Sequence, residues 1–228
     1  MDMSYSGRIG TSELIDLLLS FIVLTIAFSM GRSYGISGLN AEIFIICAIG
    51  VGTGFLLHEL AHKFMAQRYG YWAEYKASPM GLIIAVALAV MTGFVFAAPG
   101  AVHIRKTGYS APQSTYSYSD DNYWDQFDNK PGKEEGRIAM AGPITNIILA
   151  LLFFVLLKGE LLTSMLMVQA AFYGMYINLF LAAFNMIPVD PLDGAKVFRS
   201  NPLVWVIIAV PSILATLAFM TGLIYVIF

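Results

Sequence analysis

Residues 40–66 read NAEIFIICAIGVGTGFLLHELAHKFMA. A helix that crosses a bilayer needs about 20 mostly apolar residues. This run supplies them, then carries His58-Glu59-Leu60-Ala61-His62 toward its C-terminal end. Side chains four apart on a helix share a face, so both imidazoles can reach one metal ion. Neutral imidazole suits zinc, and a glutamate after the first histidine is placed as the general base of metal-assisted hydrolysis. Ionisable groups inside a span are costly and usually functional. That weighs against the plainer reading, a hydrogen-bonded polar cluster holding helices together. Just upstream, Gly50 and Gly54 form a GxxxG pair that permits close helix approach. A looser alternative is that these glycines clear space for a substrate backbone.

The rest of the chain fits a membrane setting. Of its 228 residues, 58% are hydrophobic and 12% charged, where a soluble domain carries about 25% charged residues. Mean hydropathy is +0.71. Intrinsic disorder, which needs few apolar residues and many charges, is excluded. With 13 Lys and Arg against 15 Asp and Glu, no basic excess is available to neutralise phosphates, which argues against a nucleic-acid partner. The one cysteine, Cys47, allows no intrachain disulfide and reads as a small buried hydrophobe. The N-terminal MDMSYSGRIGTSEL lacks a signal-peptide pattern, so the first apolar run is expected to be retained.

Apolar runs near 12–30, 40–66, 137–157, 165–187 and 203–227 predict five spanning helices. A sixth, 80–98, either crosses or re-enters by turning near Thr92 and Gly93. Lys and Arg concentrate on the cytoplasmic side of membrane proteins. If 80–98 crosses, the 13 basic residues split eight to five. If it dips in and returns, only Arg32 and Lys158 fall opposite the other eleven (13 − 2). The second arrangement carries the bias, with the N-terminus cytoplasmic and the C-terminus outside. The expected fold is therefore an all-α polytopic membrane protein: five spans plus a re-entrant segment, in one integral membrane domain over 1–228. Its polar island, 107–130 (TGYSAPQSTYSYSDDNYWDQFDNK), reads as a solvated surface loop. A lid or substrate-contacting loop is the functional alternative. Its aspartates, Asp120, Asp121, Asp125 and Asp128, do not fit a calcium-loop spacing.

A catalytic zinc site takes three protein ligands and keeps one open position. His103 and Glu74 are candidates for the third ligand, each in a polar stretch. The best candidate segment closes the fourth span: Asn185-Met186-Ile187-Pro188-Val189-Asp190-Pro191-Leu192-Asp193-Gly194. Its two prolines break the helix, so a carboxylate can turn inward. Asp190 and Asp193 both remain open on these grounds.

With HExxH in one span, Gly142-x-x-x-Asn146 in the next and N-x-x-P-x-x-P-x-D-G closing a third, the chain resembles the site-2 protease family of intramembrane zinc metalloproteases. The resemblance covers roughly 40–69, 137–157 and 165–194. It implies His58, His62 and Asp193 as zinc ligands and Glu59 as general base. It implies that Asn185 stabilises the tetrahedral intermediate and that Asn146 supports the site. It further implies transmembrane proteins as substrates, the lipid bilayer as setting, and a membrane-inserted β-hairpin within about 74–105. A prokaryotic plasma membrane suits the compact form, in which no PDZ-like insert and no regulatory domain is expected. The chain departs from the family pattern where Ala195 replaces a second glycine after Gly194. A prenyl-protein processing metalloprotease would need a glutamate ligand from a later span, and Glu160 falls in a loop. Non-enzymatic rivals are a pseudoprotease and a metal transporter, although a transporter places several metal-binding groups along a pathway and this chain has one cluster. Oligomeric state is left unspecified.

Overall fold

A computed structural model describes residues 9–33, 40–106 and 133–226. The 107–130 loop, and with it the choice between solvated loop and lid, lies outside the described residues. Helix α1 (Thr11–Ser33) is followed by α2 (Ala41–Val51), whose first turn is capped by Asn40 Oδ1 accepting from the Ile43 N–H at 2.9 Å. A π-helical turn, Gly52–Leu56, joins α2 to α3 (Leu57–Arg68), which carries both histidines. Strand β1 (Tyr71–Ala77), helix α4 (Pro79–Thr92) and strand β2 (Gly100–Lys106) come next. Then follow α5 (Lys133–Lys158), α6 (Met165–Asn185), the short α7 (Asp193–Ser200) and α8 (Pro202–Met220).

Among the described residues, five helices are long and apolar enough to cross a membrane: Thr11–Arg32, Ala41–Arg68, Lys133–Lys158, Met165–Asn185 and Pro202–Met220. These are the five predicted spans. The last is shorter than the expected 203–227, because the chain turns at Gly222, whose φ of 78° lies in the left-handed region.

The 80–98 segment re-enters. At 14 residues, α4 rises about 21 Å, short of a hydrocarbon core about 30 Å thick. Ser78 caps it, Pro79 occupies its first turn, and Gly93 ends it in the left-handed conformation with φ 74°. The chain then returns in extended form, and β2 pairs antiparallel with β1 in the register Tyr71↔Lys106 to Ala77↔Gly100. Ser78 N–H donates to the Pro99 carbonyl at 2.7 Å, so both ends of the excursion lie side by side. The expected β-hairpin is present. Its strands flank the apolar stretch, and the stretch itself begins as a helix.

Irregular backbone at membrane depth must be covered by protein. Val95 and Ala97 are buried, and the rings of Phe94 and Phe96 pack edge-on against Phe180 and Phe184, with centroids 5.7 and 5.4 Å apart. Helices α2 and α6 approach through glycine. A Cβ on Gly50 would lie 2.5 Å from Ile177 Cδ1, and one on Gly54 would lie 2.8 Å from Leu181 Cδ1. At the other end of α1, Glu13 and Lys63 form a buried ion pair at 2.5 Å, and Glu13 Oε1 also accepts the Tyr75 N–H at 3.1 Å. This cluster joins α1, α3 and β1.

Candidate active site

His58, Glu59 and His62 are all buried on α3. His62 Nδ1–H donates to the Ile138 carbonyl at 2.8 Å. The Asn146 amide donates to the Gly54 carbonyl in the π-helical turn at 3.1 Å, which turns its oxygen toward His58 Nδ1 at 2.9 Å. Both rings are thereby held with the proton on Nδ1 and the lone pair on Nε2. The two Nε2 atoms face each other 3.0 Å apart. Asp193 Oδ2 completes the group, 3.3 Å from His58 Nε2 and 3.0 Å from His62 Nε2.

Two lone pairs and a carboxylate oxygen converging without a proton between them call for a cation. Tetrahedral zinc, with bonds of about 2.0–2.1 Å, separates neighbouring donor atoms by roughly 3.3 Å. The observed 3.0–3.3 Å spacing fits. Burial on its own would raise the Asp193 carboxyl, but the two imidazoles set against it hold it well below the usual carboxylate range, so it offers the anionic oxygen a metal ligand needs.

Two glycines make the approach possible. A Cβ on Gly142 would lie 2.6 Å from both Cε1 and Nε2 of His58 and would press on His62 Nε2 as well, so α5 can pass the cluster only with glycine there. Asp193 is the first residue of α7, and a Cβ on Gly194 would lie 2.5 Å from the Ile187 carbonyl oxygen. The turn between α6 and α7 folds back on itself at that point. Trp205 Nε1–H fastens it by donating to the Met186 carbonyl at 2.8 Å.

A cavity of about 470 Å³ opens beside the cluster and is lined by His58, Glu59, His62, Asn185, Asp193 and Lys196. Pro99 to Val102 form part of its wall. Asn185 donates one amide N–H to the Leu181 carbonyl at 3.0 Å, and an amide carries a second. Asn146 is fully buried and touches His58.

The other candidates lie outside the metal-fitting cluster. Asp190 lines the same cavity but is exposed and pairs with Arg199. His103 is exposed on β2, opposite Glu74 in the sheet register. Glu74 accepts from Ser12 at 3.2 Å and pairs with Lys76 at 2.7 Å, which holds its carboxyl below the usual range. Glu160 stands in the turn after α5 with φ 51°.

The sequence reading did not assign roles to Gly142, the Ile138 carbonyl, Lys196, or the Glu13–Lys63 pair. Lys63, one of the eleven basic residues on the cytoplasmic side of the charge split, is 2% exposed. The available signal was one lysine and one glutamate near the ends of two apolar helices.

Helices built to cross a bilayer, with a metal-fitting cluster and a buried glutamate at one cavity, define an integral membrane protein with a centre of the metallohydrolase type. Residues 46–166 match Peptidase family M50, the site-2 protease family, and the chain belongs to it. The match ends before Asp193, so that residue's place rests on the geometry above. The chain is similar to "Putative zinc metalloprotease MJ0611" of Methanocaldococcus jannaschii, 38% identical over 90% of this chain and 93% of that protein. It is 28% identical to "Putative zinc metalloprotease YwhC" of Bacillus subtilis, over 64% of each chain. It is 23% identical to "Zinc metalloprotease MJ0392" of M. jannaschii, over 82% of this chain and 42% of that one. No solved structure matches.

Proposed function

We propose that this protein is a zinc-dependent endopeptidase that cuts peptide bonds within or beside the transmembrane helices of other membrane proteins. His58, His62 and Asp193 hold the metal, Glu59 is the general base, and Asn185 is the oxyanion donor. The observation that carries this reading is the convergence of two Nε2 atoms and one carboxylate oxygen within 4.8 Å of one another, beside Glu59 on one cavity. Zinc, when bound, acts as a Lewis acid on the scissile carbonyl and lowers the pKa of water to about 7.

The chain's own groups do the rest. Glu59 takes a proton from the attacking water and passes it to the leaving amine nitrogen. The second N–H of Asn185 reaches the developing oxyanion, a contact worth roughly 3–4 kcal/mol. Asn146 and the Ile138 carbonyl act through the imidazoles as positioning groups, fixing which nitrogen faces the metal. A substrate helix has its backbone hydrogen bonds satisfied internally, so it must unwind before attack. Helix-weakening residues near the scissile bond favour that. The distribution of Lys and Arg supports a cytoplasmic N-terminus, and the archaeal and bacterial relatives support a prokaryotic plasma membrane.

The test uses purified protein in liposomes with a reporter whose transmembrane helix carries a central Gly-Pro pair. The reading expects zinc-dependent cleavage inside the helix, located by mass spectrometry and slowed when the pair becomes Leu-Leu. Cleavage confined to a soluble flank would remove the intramembrane part of the reading. Zinc binding with no cleavage of any membrane reporter would favour the pseudoprotease.

A further inference from the structure

The bundle has a second cavity, of about 500 Å³, at the end away from Asp193. It lies between α1, α6 and α8 and is lined by Arg32, Gln169, Phe172, Tyr173, Tyr176 and Phe219. Gln169 and Asn185 lie on the same helix, 16 residues apart (185 − 169), or about 24 Å at helical rise. The volume is within the range of small-ligand sites, roughly 300–1,000 Å³.

Its polar feature is a held cation. The Arg32 guanidinium stacks over the Tyr173 ring at 4.3 Å, and Nη2–H donates to Gln169 Oε1 at 3.2 Å. Among the described residues, no carboxylate lies within ion-pairing distance of Arg32. Residues 34–39, which follow α1, read YGISGL and contain none. A guanidinium has five N–H donors in a fixed fork that matches phosphate. Here it is half-buried, oriented by an aromatic ring and an amide, and has no anionic partner among the described residues.

The remaining wall is apolar and aromatic. Phe172 and Phe219 are 4.6 Å apart by centroid, and Tyr176 and Phe219 are 5.2 Å apart. A free anion would gain nothing from this wall, and a hydrocarbon would gain nothing from Arg32. A ligand with a phosphate at one end and an acyl chain at the other uses both. Arg32 stands at the end of a span, the level at which lipid headgroups meet a membrane protein.

We propose that this cavity binds one anionic phospholipid, with its phosphate on Arg32 and one acyl chain along Phe172, Tyr176 and Phe219. The occupied site ties α1, α6 and α8 together at the end of the bundle remote from the metal cluster. This inference stands apart from the protease reading.

The test is native mass spectrometry of the purified, delipidated protein, titrated with dioleoylphosphatidylglycerol. One lipid per chain is expected to bind saturably. Arg32→Gln should weaken binding at least about tenfold, the loss of a charge-assisted hydrogen bond. Phe219→Ala keeps the charge, shortens the apolar wall and should also weaken binding by about tenfold; it serves if Arg32→Gln does not fold. Lys158→Gln, at the same end on α5, should leave binding unchanged. Unchanged affinity in Arg32→Gln or in Phe219→Ala would overturn the proposal. So would an equal loss in Lys158→Gln, which would mark diffuse charge attraction. Competition by inorganic phosphate alone would reduce the site to a free-anion site, and equal binding of uncharged dioleoylglycerol would reduce it to an acyl groove.

Discussion

His62 and Lys63 are neighbours in sequence, both buried on one helix, and they belong to two different polar clusters. His62 faces His58 and Asp193, where three ligand atoms converge and a cavity opens beside them. Lys63 faces Glu13, and that pair is closed: cation and carboxylate neutralise each other, and the spare carboxylate oxygen takes the Tyr75 N–H. Both clusters break the rule that charge avoids the inside of a span. Only the first gathers metal-ligating atoms beside a cavity. Buried polarity in an apolar helix therefore points to chemistry when it gathers metal-ligating atoms at an opening, and to architecture when cation and anion pair with each other.

That distinction can be broken by mutation. The largest effect belongs to Glu59→Gln, which should lower cleavage of a transmembrane reporter by about 10²–10⁴-fold while zinc content stays at the wild-type level. A fall under tenfold would move the base elsewhere. Lys63→Ala should act on stability instead. It strands Glu13 as a buried uncompensated charge, at a cost of about 3–5 kcal/mol, read as a lowered unfolding midpoint in detergent. The protein that remains folded should keep its zinc, and the double variant Glu13→Leu with Lys63→Met should recover most of the loss. If Lys63→Ala stripped zinc without lowering stability, the two clusters would be one.

Smaller effects sharpen the same contrast. Asn146→Ala should weaken metal affinity by about 10–100-fold, because His58 loses the group that orients it; chelator competition measures this. Asp190→Ala removes an exposed ion pair with Arg199 and should change stability by no more than about 1 kcal/mol, with zinc content unaltered. Zinc loss in Asp190→Ala would contradict the assignment of Asp193.

Much of this was legible in the chain. Five apolar runs marked the five spans, because a bilayer demands length and hydrophobicity from every crossing. The uneven placement of Lys and Arg marked 80–98 as re-entrant, which the antiparallel pairing of Tyr71–Ala77 with Gly100–Lys106 bears out. The limits of the two strands were not legible, since pairing across 22 intervening residues (78–99) is a tertiary matter that local pattern does not carry. The histidines and Glu59 were visible through helical spacing alone. Choosing between Asp190 and Asp193 was not possible from local sequence, because both follow a helix-breaking proline. The choice depends on how the turn packs against Met186 and Ile187, where Gly194 has no room for a side chain. The pairing of Lys63 was not legible because its partner, Glu13, lies 50 residues away on another span.

The most direct test of the central claim is elemental analysis of zinc per chain in detergent-purified wild type, His58→Ala and Asp193→Ala, each checked for folding. The account predicts about one zinc per wild-type chain and its loss in both variants, because residues 135 positions apart (193 − 58) share one ion. Zinc retained at wild-type affinity in folded Asp193→Ala, or absent from well-folded wild type, would contradict it.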